Sequence, residues 1–76
     1  MKKLNITQTK VLKILSTDTE KWFTLNEINK IGNINNISNT EGAVFQLQEE
    51  DYLFVRCDNG DNYLAQISPD GENAIM

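Results

Sequence analysis

From residue 38 to residue 71 the chain carries one unbroken series of local signals, and few small folds can accommodate it. Ser38 and Glu41 stand at the spacing of a capping box, in which a hydroxyl and a carboxylate three residues apart each satisfy a backbone N–H at a helix start. Thr40, Ala43, Val44 and Leu47 follow at the spacing that gathers side chains on one helical face, leaving Gly42, Phe45, Gln46 and Glu49 outward with Asn39 beside them. Asp51 marks a turn, because aspartate tolerates the left-handed backbone better than most residues. Tyr52 to Cys57 and Asn62 to Ile67 then read as strands around Asp58-Asn59-Gly60-Asp61, whose Asn-Gly centre suits a type I′ turn. A two-residue loop sets Arg56 opposite Tyr63, Val55 opposite Leu64 and Phe54 opposite Ala65. Leu53, Val55 and Leu64 then share one face, and Tyr52, Phe54, Tyr63 and Ile67 the other. The series closes on Ile67-Ser68-Pro69-Asp70-Gly71.

Upstream, Asn5-Ile6-Thr7-Gln8 supplies another capping box, and Val11, Leu12 and Leu15 recur at helical spacing with Ile14 on the margin, which predicts a helix over Ile6–Ser16. Trp22-Phe23-Thr24 suits a short extended piece. This piece is expected to cover the second face of the hairpin. Thr24 and Glu27 box the start of a second helix over Leu25–Ile31, whose stripe is Leu25, Ile28 and Ile31 and whose end is expected at Gly32 in the left-handed conformation. Ile34 and Ile37, in the asparagine-rich loop that follows, are expected to plug the gap between the second and third helices.

Seventy-six residues hold one small core, so a single domain over residues 1–76 is expected. One cysteine and no histidine leave no disulfide, no usual zinc set and no nucleophile–base pair. No catalytic, metal or cofactor residue is therefore predicted, and the chain is not expected to be an enzyme. No apolar run is long enough for a membrane span or a signal peptide, which predicts a cytoplasmic protein. The net charge of −4 is unevenly spread: residues 1–30 carry six lysines against three carboxylates, and residues 31–76 carry Arg56 against eight.

These pieces, in this order, resemble the winged-helix family, most closely MarR-type repressor domains. Ile6-Thr7-Gln8 through Leu15 is similar to their first helix, Thr24-Leu25-Asn26-Glu27-Ile28 to the start of their second, Leu47 to Leu53 to the recognition-helix exit, and Ile67 to Gly71 to the Leu-Thr-x-x-Gly after the wing. The resemblance implies an α+β winged helix-turn-helix: three helices, a C-terminal two-stranded hairpin wing and a short third strand near Trp22-Thr24. Three features depart from the family. Asp51 stands in place of glycine, the wing tip is acidic, and the chain stops at Met76 before a dimerisation helix.

The function implied is that of a small transcriptional regulator binding double-stranded DNA. The third helix would enter the major groove, with Asn39, Thr40 and Gln46 on base edges or phosphates and Lys10, Lys13, Lys30 and Arg56 on the backbone. The alternative is a protein-interaction winged helix using Gly42, Phe45, Glu49 and Glu50, an acidic surface for a basic partner or one that imitates nucleic-acid charge. Glu49, Glu50 and Asp51 oppose the helix dipole, and pairing with Lys10, Lys13 or Lys30 inside the fold would relieve them. The sequence leaves monomer and dimer open.

Overall fold

Asn5 and Thr24 begin the first two helices as the capping boxes require. The Asn5 side chain accepts from the Gln8 N–H at 2.8 Å while the Gln8 side chain accepts from the Asn5 N–H at 3.0 Å. Thr24 and Glu27 reciprocate in the same way, both at 3.1 Å. The computed structural model describes residues 3–58, 60 and 62–75. It runs α1 (Ile6–Ser16), β1 (Phe23–Thr24), α2 (Leu25–Ile31), α3 (Ile37–Glu49), β2 (Leu53–Cys57), β3 (Tyr63–Ile67) and α4 (Pro69–Ala74). The strands form one antiparallel sheet in the order β1-β3-β2.

One side of the sheet and the inner faces of α1, α2 and α3 enclose the core. Val11, Leu12 and Leu15 from α1, Leu25 and Ile28 from α2, and Ala43, Val44 and Leu47 from α3 meet Phe23, Leu53, Ala65 and Ile67 from the strands. Burying a residue of leucine size contributes roughly 1.5–3 kcal/mol, so this cluster is what holds a chain of this length folded. The α3 stripe expected from spacing is the buried one.

Several expectations give way to local chemistry. Helix α3 starts one residue earlier, capped by Asn36 and not by a Ser38–Glu41 box. The Asn36 carboxamide oxygen accepts both the Ser38 N–H and the Ser38 hydroxyl at 3.0 Å, so that hydroxyl points back instead of capping. Gly32 is right-handed at φ −78°, and the left-handed residue is Asn33 at φ 50°. Asn tolerates that region, and the shift lets the Ile34 N–H reach the Asn29 carbonyl. Ile31 is consequently 60% exposed, Ile34 packs on the core in its place, and Ile37 opens α3 at 40% exposed. Asp51 does take the left-handed conformation, at φ 62°.

The hairpin register is displaced by one residue. Cys57 faces Tyr63, Arg56 faces Leu64, Val55 faces Ala65 and Leu53 faces Ile67. The Asp58 N–H bonds the Asn62 carbonyl at 3.1 Å, which closes a three-residue connection; the predicted type I′ turn falls on Asn59, outside the described residues. Because side chains alternate with period two, the slip exchanges the faces of β3: Ala65 and Ile67 join Leu53 inside, and Leu64 lies outside with Phe54. Strand β1 covers neither face. It extends the sheet edgewise, with Phe23 opposite Ala65.

A fourth helix follows the wing. Ser68 caps it through Oγ, Pro69 fills the first position where no N–H is needed, and its first turn docks on the α3–β2 connection. The Ser68 N–H donates to the Tyr52 carbonyl at 3.1 Å, and the Ser68 hydroxyl donates to the Asp51 carbonyl at 2.7 Å. A Cβ on Gly71 would overlap the Tyr52 carbonyl oxygen, so only glycine permits this approach.

Candidate nucleic-acid interface

Helices α2 and α3 are joined by a short turn, and a buried polar link fixes their relative placement. Thr40 is fully buried and its hydroxyl donates to the Asn29 side chain at 2.7 Å. Its assignment as a DNA contact is therefore corrected: the hydroxyl is spent inside the protein and reaches no base edge. The neighbouring positions point out. Asn39, Gly42 and Gln46 line a shallow groove with Ser38, opposite Asn5 and Thr7 of the α1 start. The Gln46 side-chain oxygen accepts from the Gln8 amide at 2.8 Å, which braces α3 against α1. Among the described residues no charged group lines this groove. Gly42 has nothing within 4 Å of where a Cβ would sit, so its surface is open.

Phe45 is neither a free anchor nor a core residue. It is half-buried and meets Tyr63 edge to face, ring centroids 5.2 Å apart at 86°, bridging α3 to the start of β3. Glu49 and Glu50 border a separate groove with Lys3, Asn5 and Tyr52. The wing-side edge of α3 carries Glu41, beside Ile37, Asn62 and Tyr63.

The expected backbone-holding bases are not brought together. Lys10 places its ammonium 3.4 Å from the Gly32 carbonyl, above the end of α2. Lys13 lies with Tyr52, Ala74 and Ile75 beside α4. Lys30 is exposed in the last turn of α2. Arg56 stacks its guanidinium over Trp22 at 4.4 Å on the outer face of the sheet. Among the described residues no pair is seen between Glu49 or Asp51 and Lys10, Lys13 or Lys30, and Lys21 pairs with Glu27 at 3.1 Å. The Thr24 backbone N–H, and then the Lys21 ammonium, hold the Glu27 carboxyl below its ordinary value.

Sequence reasoning found Asn39 and Gln46 but missed Asn5, Thr7 and Ser38 as the rest of the groove. Asn5 had been read only as a cap, and helical periodicity alone does not say which neighbouring helix lies alongside α3. The pairing of Trp22 with Arg56 was also missed, because it spans a strand and depends on the register.

Three solved structures share this architecture over nearly the whole chain. The Bordetella bronchiseptica protein BpsR, whose structure concerns regulation of its DNA binding by 6-hydroxynicotinic acid, is 23% identical with a TM-score of 0.83, over 96% of this chain and 50% of its own. A probable transcriptional regulator from Pseudomonas aeruginosa is 20% identical with a TM-score of 0.78, over 95% and 53%. MepR, a transcription regulator of the Staphylococcus aureus multidrug efflux pump MepA, is 14% identical with a TM-score of 0.80, over 95% and 53%. The chain spans about half the length of these proteins. No family model and no curated protein matches the sequence. The fold is a winged helix, as the MarR-type resemblance implied, and no described helix is long and apolar enough to cross a membrane.

Proposed function

We propose that the domain binds double-stranded DNA as a small cytoplasmic transcriptional regulator, through the open face of α3. The observation that carries this reading is the uncharged polar groove beside Gly42, flanked by Asn39 and Gln46 on a helix that a winged-helix scaffold presents outward. Asn and Gln side chains can each bond the N6 and N7 edge of adenine in the major groove. They are seven residues apart, roughly 10 Å along the helix axis, or about three base-pair steps. Gly42 between them lets the backbone approach the groove floor. Phe45, held by Tyr63, offers an apolar edge to a thymine methyl. Lys10 and Lys30 near the α2–α3 turn are the bases placed to meet phosphates.

The protein-interaction reading is not favoured, because Phe45 already has a ring partner and projects less than a docking anchor would. Selection from a randomised duplex pool at low salt tests the proposal. Asn39→Ala and Gln46→Ala should each weaken the selected duplex by about 1–3 kcal/mol and relax the sequence at one position. Gln8→Ala, which removes the brace on Gln46 and one half of the α1 capping box but no base contact, should cost less in DNA affinity, and Lys21→Ala nothing. Failure to retain any duplex, or retention indifferent to both α3 substitutions, would reject it.

A further inference from the structure

Two hydrogen bonds in series give the contact between α1 and α3 a direction. A backbone N–H can only donate, so the end of the Gln8 side chain that meets the Asn5 N–H at 3.0 Å is its oxygen. The other end of that amide is therefore its nitrogen, which donates to Gln46 at 2.8 Å. The end of Gln46 held against α1 must then be its oxygen, and the end left over is its nitrogen with two N–H groups. A glutamine on a helix surface ordinarily turns its amide over to suit what it meets. Here the polarity starts at the α1 cap and passes through Gln8 to α3. The Gln8 N–H also donates to the Asn5 side chain at 2.8 Å, so the capping box itself holds half-buried Gln8 in place, while Gln46 is exposed beside Asn39 and Gly42.

We infer that Gln8 is a positioning residue whose hold on the Gln46 oxygen makes Gln46 a hydrogen-bond donor toward DNA, so that it reads guanine. The inference rests on the DNA-binding reading above and sharpens it. In the major groove guanine presents two acceptors, N7 and O6, and cytosine a single donor. Adenine presents an N7 acceptor beside an N6 donor, and thymine one acceptor beside its methyl group. A glutamine that can use both ends of its amide suits adenine. One whose oxygen is held against α1 offers only donors, and guanine alone supplies an acceptor for each of them. Gln8 touches no base in this arrangement; it acts through Gln46, by deciding which end of that amide is turned outward.

Gln8→Glu tests this, because it keeps both bonds and reverses the second. A carboxylate still accepts the Asn5 N–H, and glutamate serves as well as glutamine in a capping box, so α1 is retained. A carboxylate cannot donate, so Gln46 must turn its nitrogen to α1 and its oxygen outward. Selection from a randomised duplex pool locates the position that Gln46 reads as the one relaxed in Gln46→Ala. There the parent should prefer guanine to cytosine by roughly 5- to 150-fold. Gln8→Glu should move the preference to cytosine or adenine, whose exocyclic amino groups donate, and Gln8→Ala should admit guanine and adenine alike. The added carboxylate lowers affinity for every duplex, so the ratio between bases is the readout. Side-chain amide exchange without DNA supplies a second one: the Gln8 amide should exchange more slowly in the parent than in Gln46→Ala, and the Gln46 amide more slowly in Gln8→Glu than in Gln8→Ala. Cytosine or adenine at that position in the parent, guanine retained by Gln8→Glu, or a Gln8 amide whose exchange is unchanged in Gln46→Ala would each overturn the inference and leave DNA binding standing. Retention of no duplex would reject the DNA-binding reading itself, and this inference with it.

Discussion

Replacing Gly71 by alanine puts a methyl group where the Tyr52 carbonyl oxygen sits, with the Tyr52 carbonyl carbon and Ile67 Cγ1 each 2.9 Å from the added atom. Two of these three neighbours are backbone, so no rotamer change clears the space, and the first turn of α4 must lift away. Forced overpacking of this kind costs about 1–3 kcal/mol. Lifting the turn also stretches the two Ser68 hydrogen bonds to the Tyr52 and Asp51 carbonyls, worth roughly 0.5–1.5 kcal/mol each. Alanine returns under about 1 kcal/mol through its better helix propensity. The net loss is about 2–4 kcal/mol, out of roughly 4–11 kcal/mol expected for a domain of this length. Thermal unfolding followed by circular dichroism should show Tm falling by about 10–30 °C. Gly42→Ala is the matched control: it is exposed, helical and unobstructed, and should raise stability by roughly 0.5–1 kcal/mol. Equal effects from the two substitutions, or a Gly71→Ala protein as stable as the parent, would refute the reasoning.

Thr40→Val keeps the buried volume but leaves the Asn29 side-chain oxygen without its donor, and should lower stability by about 1–2 kcal/mol in chemical denaturation; no change would mean that water replaces the bond. For Glu27 the folded pKa lies below the ordinary value of 4.5, so its contribution is fully present above that value and is lost as pH falls through the folded pKa. Glu27→Gln should accordingly flatten the decline of Tm between about pH 5 and pH 3. A decline as steep as in the parent would place the acid sensitivity on other carboxylates.

What was legible in the sequence was set by short-range chemistry. The boundaries of α1 and α2 follow from caps whose two members lie three residues apart, and the buried stripe of α3 follows from 3.6-residue periodicity. The start of α3 was misread because Asn36 and Ser38 are both good caps, and the competition between them is decided by which oxygen is free. The hairpin slipped because Asn59-Gly60 signals a turn without fixing how many residues it spans, and one residue reverses every side chain of β3. That reversal hid the Arg56–Trp22 stack. The groove along α3 was half legible for a related reason: its α3 side follows from the helical wheel, but its α1 side depends on how two helices cross.

The acidity of residues 31–76 bears on how DNA would be held, and the salt dependence of binding puts a number on it. Of the four expected bases, Arg56 is committed to Trp22 and Lys13 lies beside α4, which leaves Lys10 and Lys30 near the α2–α3 turn. Each neutralised phosphate contributes about −0.9 to the slope of log affinity against log salt, so two give a slope near −2. Affinity should then fall only roughly 12-fold between 50 and 200 mM salt, whereas six phosphate contacts would cost roughly 2,000-fold. A slope steeper than about −4 would show that more bases reach the backbone than this geometry allows. A shallow slope also has a consequence for specificity. Non-specific affinity comes almost wholly from phosphates, and the carboxylates of α3 oppose it, so on the proposed reading binding rests on the base contacts assigned to Asn39 and Gln46. The protein should therefore discriminate sharply between sites while holding even its best site weakly, and competition with bulk genomic DNA should displace it little.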